Sequence, residues 1–302
     1  MGEKSGHTRS QMTGKVLLMM EMETIYTLSE KTFEKISRFI SNELGIKMPP
    51  SKKIMLQGRL MKRLRRLKMN SYEAYCDYLF SHEGQQHEIV HMLDAVTTNK
   101  TDFFREPNHF DTLTKSVLLE LLRLKTTGQY KRLVIWSAGC STGAEPYTLA
   151  MVLSEFARTH ENFDYIVMAS DISTKVLAKA HEAIYTENET IPIPPELRKR
   201  YLLRSKDPSR RLVRIVPELR KKMKFFRLNL MDADYGISIG VDVVFCRNVL
   251  IYFDHDTQQQ VLSRLCSHLR PNGYLFSGHS ETLNGFDLPL EQIATTVYRK
   301  IK

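Results

Sequence analysis

From about residue 98 onward, short apolar runs alternate with helix-like stretches, and that alternation leaves few architectures open. The runs are "RLVIWSAG", "YIVMASDIS", "KFFRLNL", "VDVVFCRNV", "GYLFSGHSE" and "TTVYRKI". Between them lie "EPYTLAMVLSEFART", "STKVLAKAHEAIY" and "TQQQVLSRLCSHLR", whose apolar residues have helical spacing. The pattern predicts an open, doubly wound α/β sheet, in which ligands sit beyond the carboxyl ends of the strands. One segment breaks it. Between Tyr185 and Lys224 the runs "RYLLR" and "RLVRI" flank the turn-rich "SKDPS", which predicts a small β-hairpin excursion, an inserted β-subdomain over about residues 190–223.

Upstream the pattern is different. Residues 25–97 read as an all-helical domain, and residues 1–24 as a disordered tail before it. "LSEKTFEKISRFISNELG" places Ser29 as an N-cap and Gly45 as the stop, and a second helix follows Pro49-Pro50. "SYEAYCDYLFS" and "EGQQHEIVHMLDAVT" supply a third and a fourth. Residues 98–302 form the second domain, which carries the sheet.

Charge is distributed unevenly. The chain carries +10 at pH 7. Residues 51–68 hold eight basic residues and no acid, and residues 197–224 hold twelve basic residues and two acids. These islands outweigh the total, so the remainder is acidic, and two basic islands on an acidic body suggest docking sites. Arg59, Lys62, Arg63 and Arg66 recur at helical spacing on one face of the second helix, with Ile54, Leu60, Leu64 and Leu67 available for the other. The plainer reading of such a run is a solvated face.

No run approaches 18 apolar residues, so no membrane insertion is expected. The early patch "VLLMM" is too short for a signal peptide, and Gly6 stands where a myristoylation signal needs Ser or Thr. Four scattered cysteines without a CxxC pair suggest reduced thiols in a cytoplasmic protein, and no metal site is expected.

The first strand runs into "AGCSTGAEPY", which lacks the GxGxxG spacing of dinucleotide binders. Gly139 opens the turn, and Glu145 stands at the start of the next helix, where a phosphate would otherwise lie. An acid there repels phosphate and receives a cation; alternatively it caps the helix dipole beside Pro146. S-adenosylmethionine is a nucleoside with no phosphate and with an ammonium and a sulfonium. Asp171, ending the second strand, suits the two ribose hydroxyls or a helix N-cap. Asn229 and Asn248 end two further strands, read as adjacent, and suit an adenine edge and an amino-acid group.

The strings "TNKTDFFRE", "SAGCSTGAEPYTLAM", "ASDIS", "FCRNVLIYFD" and "LFSGHSE" resemble, in order, the chemotaxis receptor methyltransferase family, CheR. The resemblance runs from about residue 29 to the C-terminus. It implies a class I methyltransferase sheet, mostly parallel with an antiparallel last strand, and S-adenosyl-L-methionine as cofactor, leaving S-adenosyl-L-homocysteine. It implies cofactor contacts at Asn99, Thr101, Arg105, Glu145, Asp171, Asn229, Leu230, Asn248 and Val249. It implies methylation of glutamate γ-carboxylates on the cytoplasmic helical bundle of methyl-accepting chemoreceptors, for sensory adaptation. The basic helix would then meet the acidic methylation helices. Some relatives hold a receptor C-terminal peptide on the hairpin through a glycine-rich loop; here the loop "SKDPSRR" has no glycine.

A glutamate with pKa ~4.3 is already ionised at neutral pH, so methyl transfer to it needs no general base. Arg105 is the candidate for orienting the substrate carboxylate through a charge-assisted fork. Tyr252 is the second catalytic candidate, to orient the acceptor or the sulfonium, against a reading as a packed aromatic. Two other functions compete. A methyltransferase acting on RNA or DNA would suit the basic charge, but the chain has "RNVLIYFD" in place of the prolines of an N/D-P-P-Y/F motif, so no nucleic-acid partner is expected. A non-catalytic S-adenosylmethionine sensor would be expected to lack Arg105 or one of the acids.

Overall fold

The computed structural model describes residues 27–125 and 132–301; the tail expected over residues 1–24 lies outside them. Contacts divide the chain into two units, meeting at Thr97 and Thr98.

The first unit is helical: α1 (Glu30–Leu44), α2 (Lys53–Leu67), α3 (Tyr72–Leu79), α4 (His82–His87) and α5 (Ile89–Val96). The expected fourth helix is thus two, broken at Glu88. Ser29 caps α1 by accepting the Thr32 N–H, and Gly45 closes it in the left-handed region at φ 66°. Leu56, Leu60 and Leu64 form the buried stripe of α2, whereas Ile54, expected on that stripe, is 84% exposed. At four-residue spacing the stripe begins at Leu56, and Ile54 falls outside it.

The second unit opens with a helix in three parts: α6 (Asn108–Thr112), a π-helical turn at Leu113–Val117, and α7 (Leu118–Lys125). Then come β1 (Leu133–Ala138), α8 (Ala144–Thr159), β2 (Tyr165–Asp171) and α9 (Thr174–Glu182). A three-stranded excursion follows, with β3 (Ile184–Thr186), α10 (Pro195–Tyr201), β4 (Leu202–Arg204), β5 (Leu212–Ile215) and α11 (Pro217–Arg220). The chain returns through β6 (Met223–Arg227), β7 (Val241–Cys246), α12 (His255–His268), β8 (Leu269–Ser277), β9 (Leu290–Ala294) and β10 (Val297–Lys300).

The main sheet has the order β6-β2-β1-β7-β8-β10-β9. Its first five strands are parallel, and β10 and β9 are antiparallel to their neighbours. Because β9 is antiparallel to β10, it runs in the direction of the first five, so β10, the last strand of the chain, is the one reversed strand of this sheet, as expected. The segment "LEQIA", which has no clean alternation, is recruited to the sheet edge by β10. The central strands β1 and β7 are buried along their whole length, as parallel strands covered on both faces must be.

The small sheet, β3-β5-β4, contains the expected hairpin of β4 and β5 plus one strand more. "AIY", expected as the end of a helix, leaves α9 through Ala183 at φ 57° and pairs with β5 instead. Tyr185 is thereby buried, and its hydroxyl donates to the Thr142 carbonyl at 2.7 Å, tying the excursion to the loop after β1.

Candidate functional site

The parallel strands β6, β2, β1 and β7 lie side by side, so the loops at their carboxyl ends form one row. Asn229 follows β6, Asp171 ends β2, Gly139 to Glu145 follow β1, and Asn248 and Val249 follow β7. Asn229 and Asn248 are thus not on adjacent strands: β2 and β1 stand between them. They flank the row from opposite sides.

The row is held by its own backbone. Asp171 is buried; its Oδ2 accepts the Ser141 N–H at 2.8 Å and its Oδ1 the Ser173 N–H at 2.9 Å. The same carboxylate expected to meet a ribose therefore also joins the loops of β1 and β2. Gly139 sits at φ 80°, and a Cβ there would stand 2.5 Å from Cγ2 of Val249, so only glycine lets the β1 and β7 loops approach this closely. Ser141 Oγ donates to the Asn99 carbonyl at 2.8 Å, which brings in the segment before α6. Asn229 Oδ1 accepts the Met231 N–H at 3.1 Å, and Leu230 is buried beside it.

The segment carrying Thr101 and Arg105 is pinned on both sides of the arginine. Phe104 and Glu106 both have positive φ, 53° and 56°, a strained conformation that persists only when its surroundings enforce it. The Phe104 N–H donates to Thr148 Oγ1 on α8 at 3.1 Å. The Arg105 carbonyl accepts Nη2 of Arg247 at 2.6 Å. Glu106 Oε1 accepts Nδ2 of Asn248 at 3.2 Å. The Arg105 guanidinium itself makes one long bond, 3.4 Å to the Lys100 carbonyl, and no ion pair among the described residues.

Sequence reading missed the residue that organises this cluster. Arg247, with a side chain 2% exposed, places Nε 3.0 Å from Oε2 of Glu145 and 3.9 Å from Oε2 of Glu106. It also donates Nη1 to His109 Nδ1 at 3.1 Å. Ser137 Oγ donates to Glu145 Oε1 at 2.7 Å. Burial pushes the Glu145 carboxyl up, and the neighbouring Arg247 charge only partly offsets it. Burial also pushes Glu106 up, but Arg247 and the Asn248 amide outweigh it and leave that carboxyl below its ordinary range. The signal available in the sequence was an arginine following the apolar run "VVFC", immediately before Asn248.

Glu106, His109 and His279 offer ligand atoms within 4.8 Å of one another. They do not make a metal centre. Arginine only donates, so His109 Nδ1 is the acceptor and Nε2–H faces Thr296 Oγ1 at 2.9 Å, leaving no free nitrogen on that ring. Burial and the Arg247 charge hold His109 down at about 4, so it is neutral, and an incoming cation would meet the guanidinium.

Glu145 and Glu106 crowd around one buried arginine, Arg247, and the Arg105 charge also reaches Glu145. Glu106 Oε2 is buried with no hydrogen-bond donor, an acceptor waiting for one. A buried carboxylate acceptor of that kind suits the ammonium of S-adenosylmethionine and not a phosphate, so the residues present fit that cofactor. Tyr252 lies half-buried in the 3-10 turn Leu250–Tyr252, just past Val249. The basic candidates lie in the other unit and differ among themselves. Arg63 is turned inward, held by Glu88 through Nε at 2.8 Å and Nη2 at 2.6 Å, and Arg59 donates to the Val96 carbonyl. Lys62 and Arg66 are exposed, as is Arg65 beside them.

Comparison with known proteins agrees. Residues 99–299 match the model described as CheR methyltransferase, SAM binding domain, and residues 31–97 the model described as CheR methyltransferase, all-alpha domain. The chemotaxis protein methyltransferase of Escherichia coli is 37% identical over 293 residues, 96% of this chain and 98% of that protein. Its counterpart from Borreliella burgdorferi is 36% identical over 275 residues, 90% of this chain and 95% of that one. Chemotaxis protein methyltransferase 2 of Pseudomonas aeruginosa is 37% identical over 270 residues, 89% and 93% of the two chains. With both units matched in order and relatives aligned nearly end to end, the chain belongs to the CheR methyltransferase family, whose S-adenosylmethionine-binding domain is the seven-stranded unit described above.

Proposed function

We propose that this enzyme methylates glutamate γ-carboxylates of chemoreceptors, giving methyl esters. The observation that carries the reading is Arg105: a cation with no ion pair among the described residues, pinned between two left-handed residues, beside carboxylates suited to a cationic cofactor. The names of the relatives support a chemotaxis substrate.

When bound, S-adenosylmethionine supplies an electrophilic methyl group on a sulfonium. The residues of the chain do the rest. Glu145 and Glu106 receive positive charge, and Arg247 keeps those two carboxylates from repelling each other. Asp171, Asn229 and Leu230 address the nucleoside side of the row, and Asn99, Thr101, Asn248 and Val249 close around it. Arg105 orients the incoming carboxylate without activating it, because a carboxylate held too tightly is a poorer nucleophile. Tyr252 borders the acceptor side. Charge is cancelled as the methyl moves, so positioning and water exclusion carry the rate.

The substrate side falls to α2. Lys62 and Arg66, with Arg65, remain for an acidic receptor helix, while Arg59 and Arg63 hold the helical unit together. Ile54, 84% exposed, adds an apolar anchor, and nothing lies within 4 Å of a Cβ built at Gly58, so a partner helix can approach the α2 backbone there. In the small sheet β4 is an outer strand, open to a receptor C-terminal peptide by strand addition. Four buried free cysteines fit a reducing, cytoplasmic setting, and among the described residues no helix is long and apolar enough to cross a membrane.

The test is transfer of labelled methyl from S-adenosylmethionine to receptor-containing membranes, followed by mild base. Label released as methanol identifies a carboxyl methyl ester. Base-stable label, or label found in nucleic acid, overturns the reading, and cofactor binding without any transfer marks a sensor.

A further inference from the structure

Glu281 lies outside every role assigned so far, near the start of the loop that follows β8. Its side chain is buried, and among the described residues it pairs with no cation. Instead it gathers backbone N–H groups. Oε2 accepts from Asn248 at 2.6 Å and from Gly278 at 2.7 Å, and Oε1 accepts from Ile251 at 3.2 Å. The Glu281 carbonyl takes Ser277 Oγ at 2.7 Å, and its own N–H donates to the Gly278 carbonyl at 2.8 Å, so the residue is fixed at both ends. A buried carboxylate without a cation persists only when directed donors replace water, and here the donors are the backbone of the site loop.

That loop needs holding. Asn248 is a non-glycine residue at φ 59°, and one residue later Val249 presses on Gly139. Room for the carboxylate is provided by Gly278: a Cβ there would lie 2.7 Å from Glu281 Oε2 and 2.6 Å from Asn248 Nδ2. We infer that Glu281 is a positioning residue for the reaction: its carboxylate, bound by the N–H groups of Asn248, Gly278 and Ile251, sets the β7 loop that presents Asn248, Val249 and Tyr252 to cofactor and acceptor. The inference rests on the proposed assignment of those three residues to the site.

Glu281→Gln keeps the volume but removes the charge and turns an NH2 group toward one of the donors. Gly278→Ala perturbs the same carboxylate from the opposite side and serves where the glutamine variant does not fold. Calorimetry with S-adenosylhomocysteine reads both. The expected result is Kd raised at least tenfold at unchanged stoichiometry, with faster amide exchange confined to residues 248–252 and 278–281. A residue that merely supports the fold would instead lower the stoichiometry and leave Kd of the folded fraction as in wild type. Wild-type affinity in a folded variant, or exchange raised across the whole sheet, overturns the inference. The binding measurement needs no receptor, so a wild-type chain that fails to methylate receptors defeats the proposed substrate while leaving this comparison readable.

Discussion

Replacing Arg247 by methionine is the sharpest probe of the site's electrostatics. The side chain is 2% exposed and stands 3.0 Å from Glu145, itself 12% exposed. Two unit charges about 4 Å apart attract by about 4 kcal/mol at an effective dielectric of 20. Methionine fills much of the volume, so packing loss is secondary. What it leaves behind is two carboxylates facing each other without their cation, and the Arg105 carbonyl without its 2.6 Å donor. Breaking a buried pair in this way costs about 3–5 kcal/mol. For a unit of this size that lowers the unfolding midpoint by on the order of 10 °C. Calorimetric unfolding checks it, with Glu145→Gln and the double variant completing a cycle. Removing the glutamate charge should recover part of the loss, with a coupling of at least about 1.5 kcal/mol. If Arg247→Met unfolds within about 1 kcal/mol of wild type, and the two changes simply add, the pair carries no such load and the electrostatic account of the site fails.

Two further outcomes follow from the same geometry. Arg105→Ala should cut turnover by about a hundredfold or more, as loss of a charge-assisted substrate contact does, while the thermal midpoint stays near wild type because among the described residues the side chain makes one long bond; full activity on receptor membranes would remove it from the site. Reversing Lys62, Arg65 and Arg66 to Glu should raise KM for receptor several-fold and flatten its dependence on salt, with affinity for S-adenosylhomocysteine unchanged, since exposed charges act over a Debye length of about 8 Å; initial rates against receptor concentration at two ionic strengths decide it, and an unchanged KM means a solvated face.

Much of this protein was legible in the chain because it is local. A strand that ends in a glycine turn and restarts as a helix is written in consecutive residues, so β1, α8, β2 and their polar ends at Gly139, Glu145 and Asp171 could be placed before any contact was known. The caps of α1, Ser29 and Gly45, are local in the same way. What local pattern cannot encode is which strand lies beside which. Strand order separated Asn229 from Asn248, drew β9 to the edge, and added β3 to the small sheet. Nor can it encode which charges meet. Arg63 read as free because its acid, Glu88, is 25 residues away, at the break between α4 and α5. Arg247 reaches Arg105 across 142 positions, and Glu281 reaches Asn248 across 33. Buried charges must find partners wherever packing brings them, and water excluded from the core makes those distant pairings strong. The sequence by itself determined that an open α/β sheet forms, where its ligand-facing end lies and the kind of cofactor that end receives; the tertiary structure alone decided the strand order, and which cations, such as Arg63 and Arg247, are held by acids within the fold and which, such as Lys62 and Arg66, stand exposed.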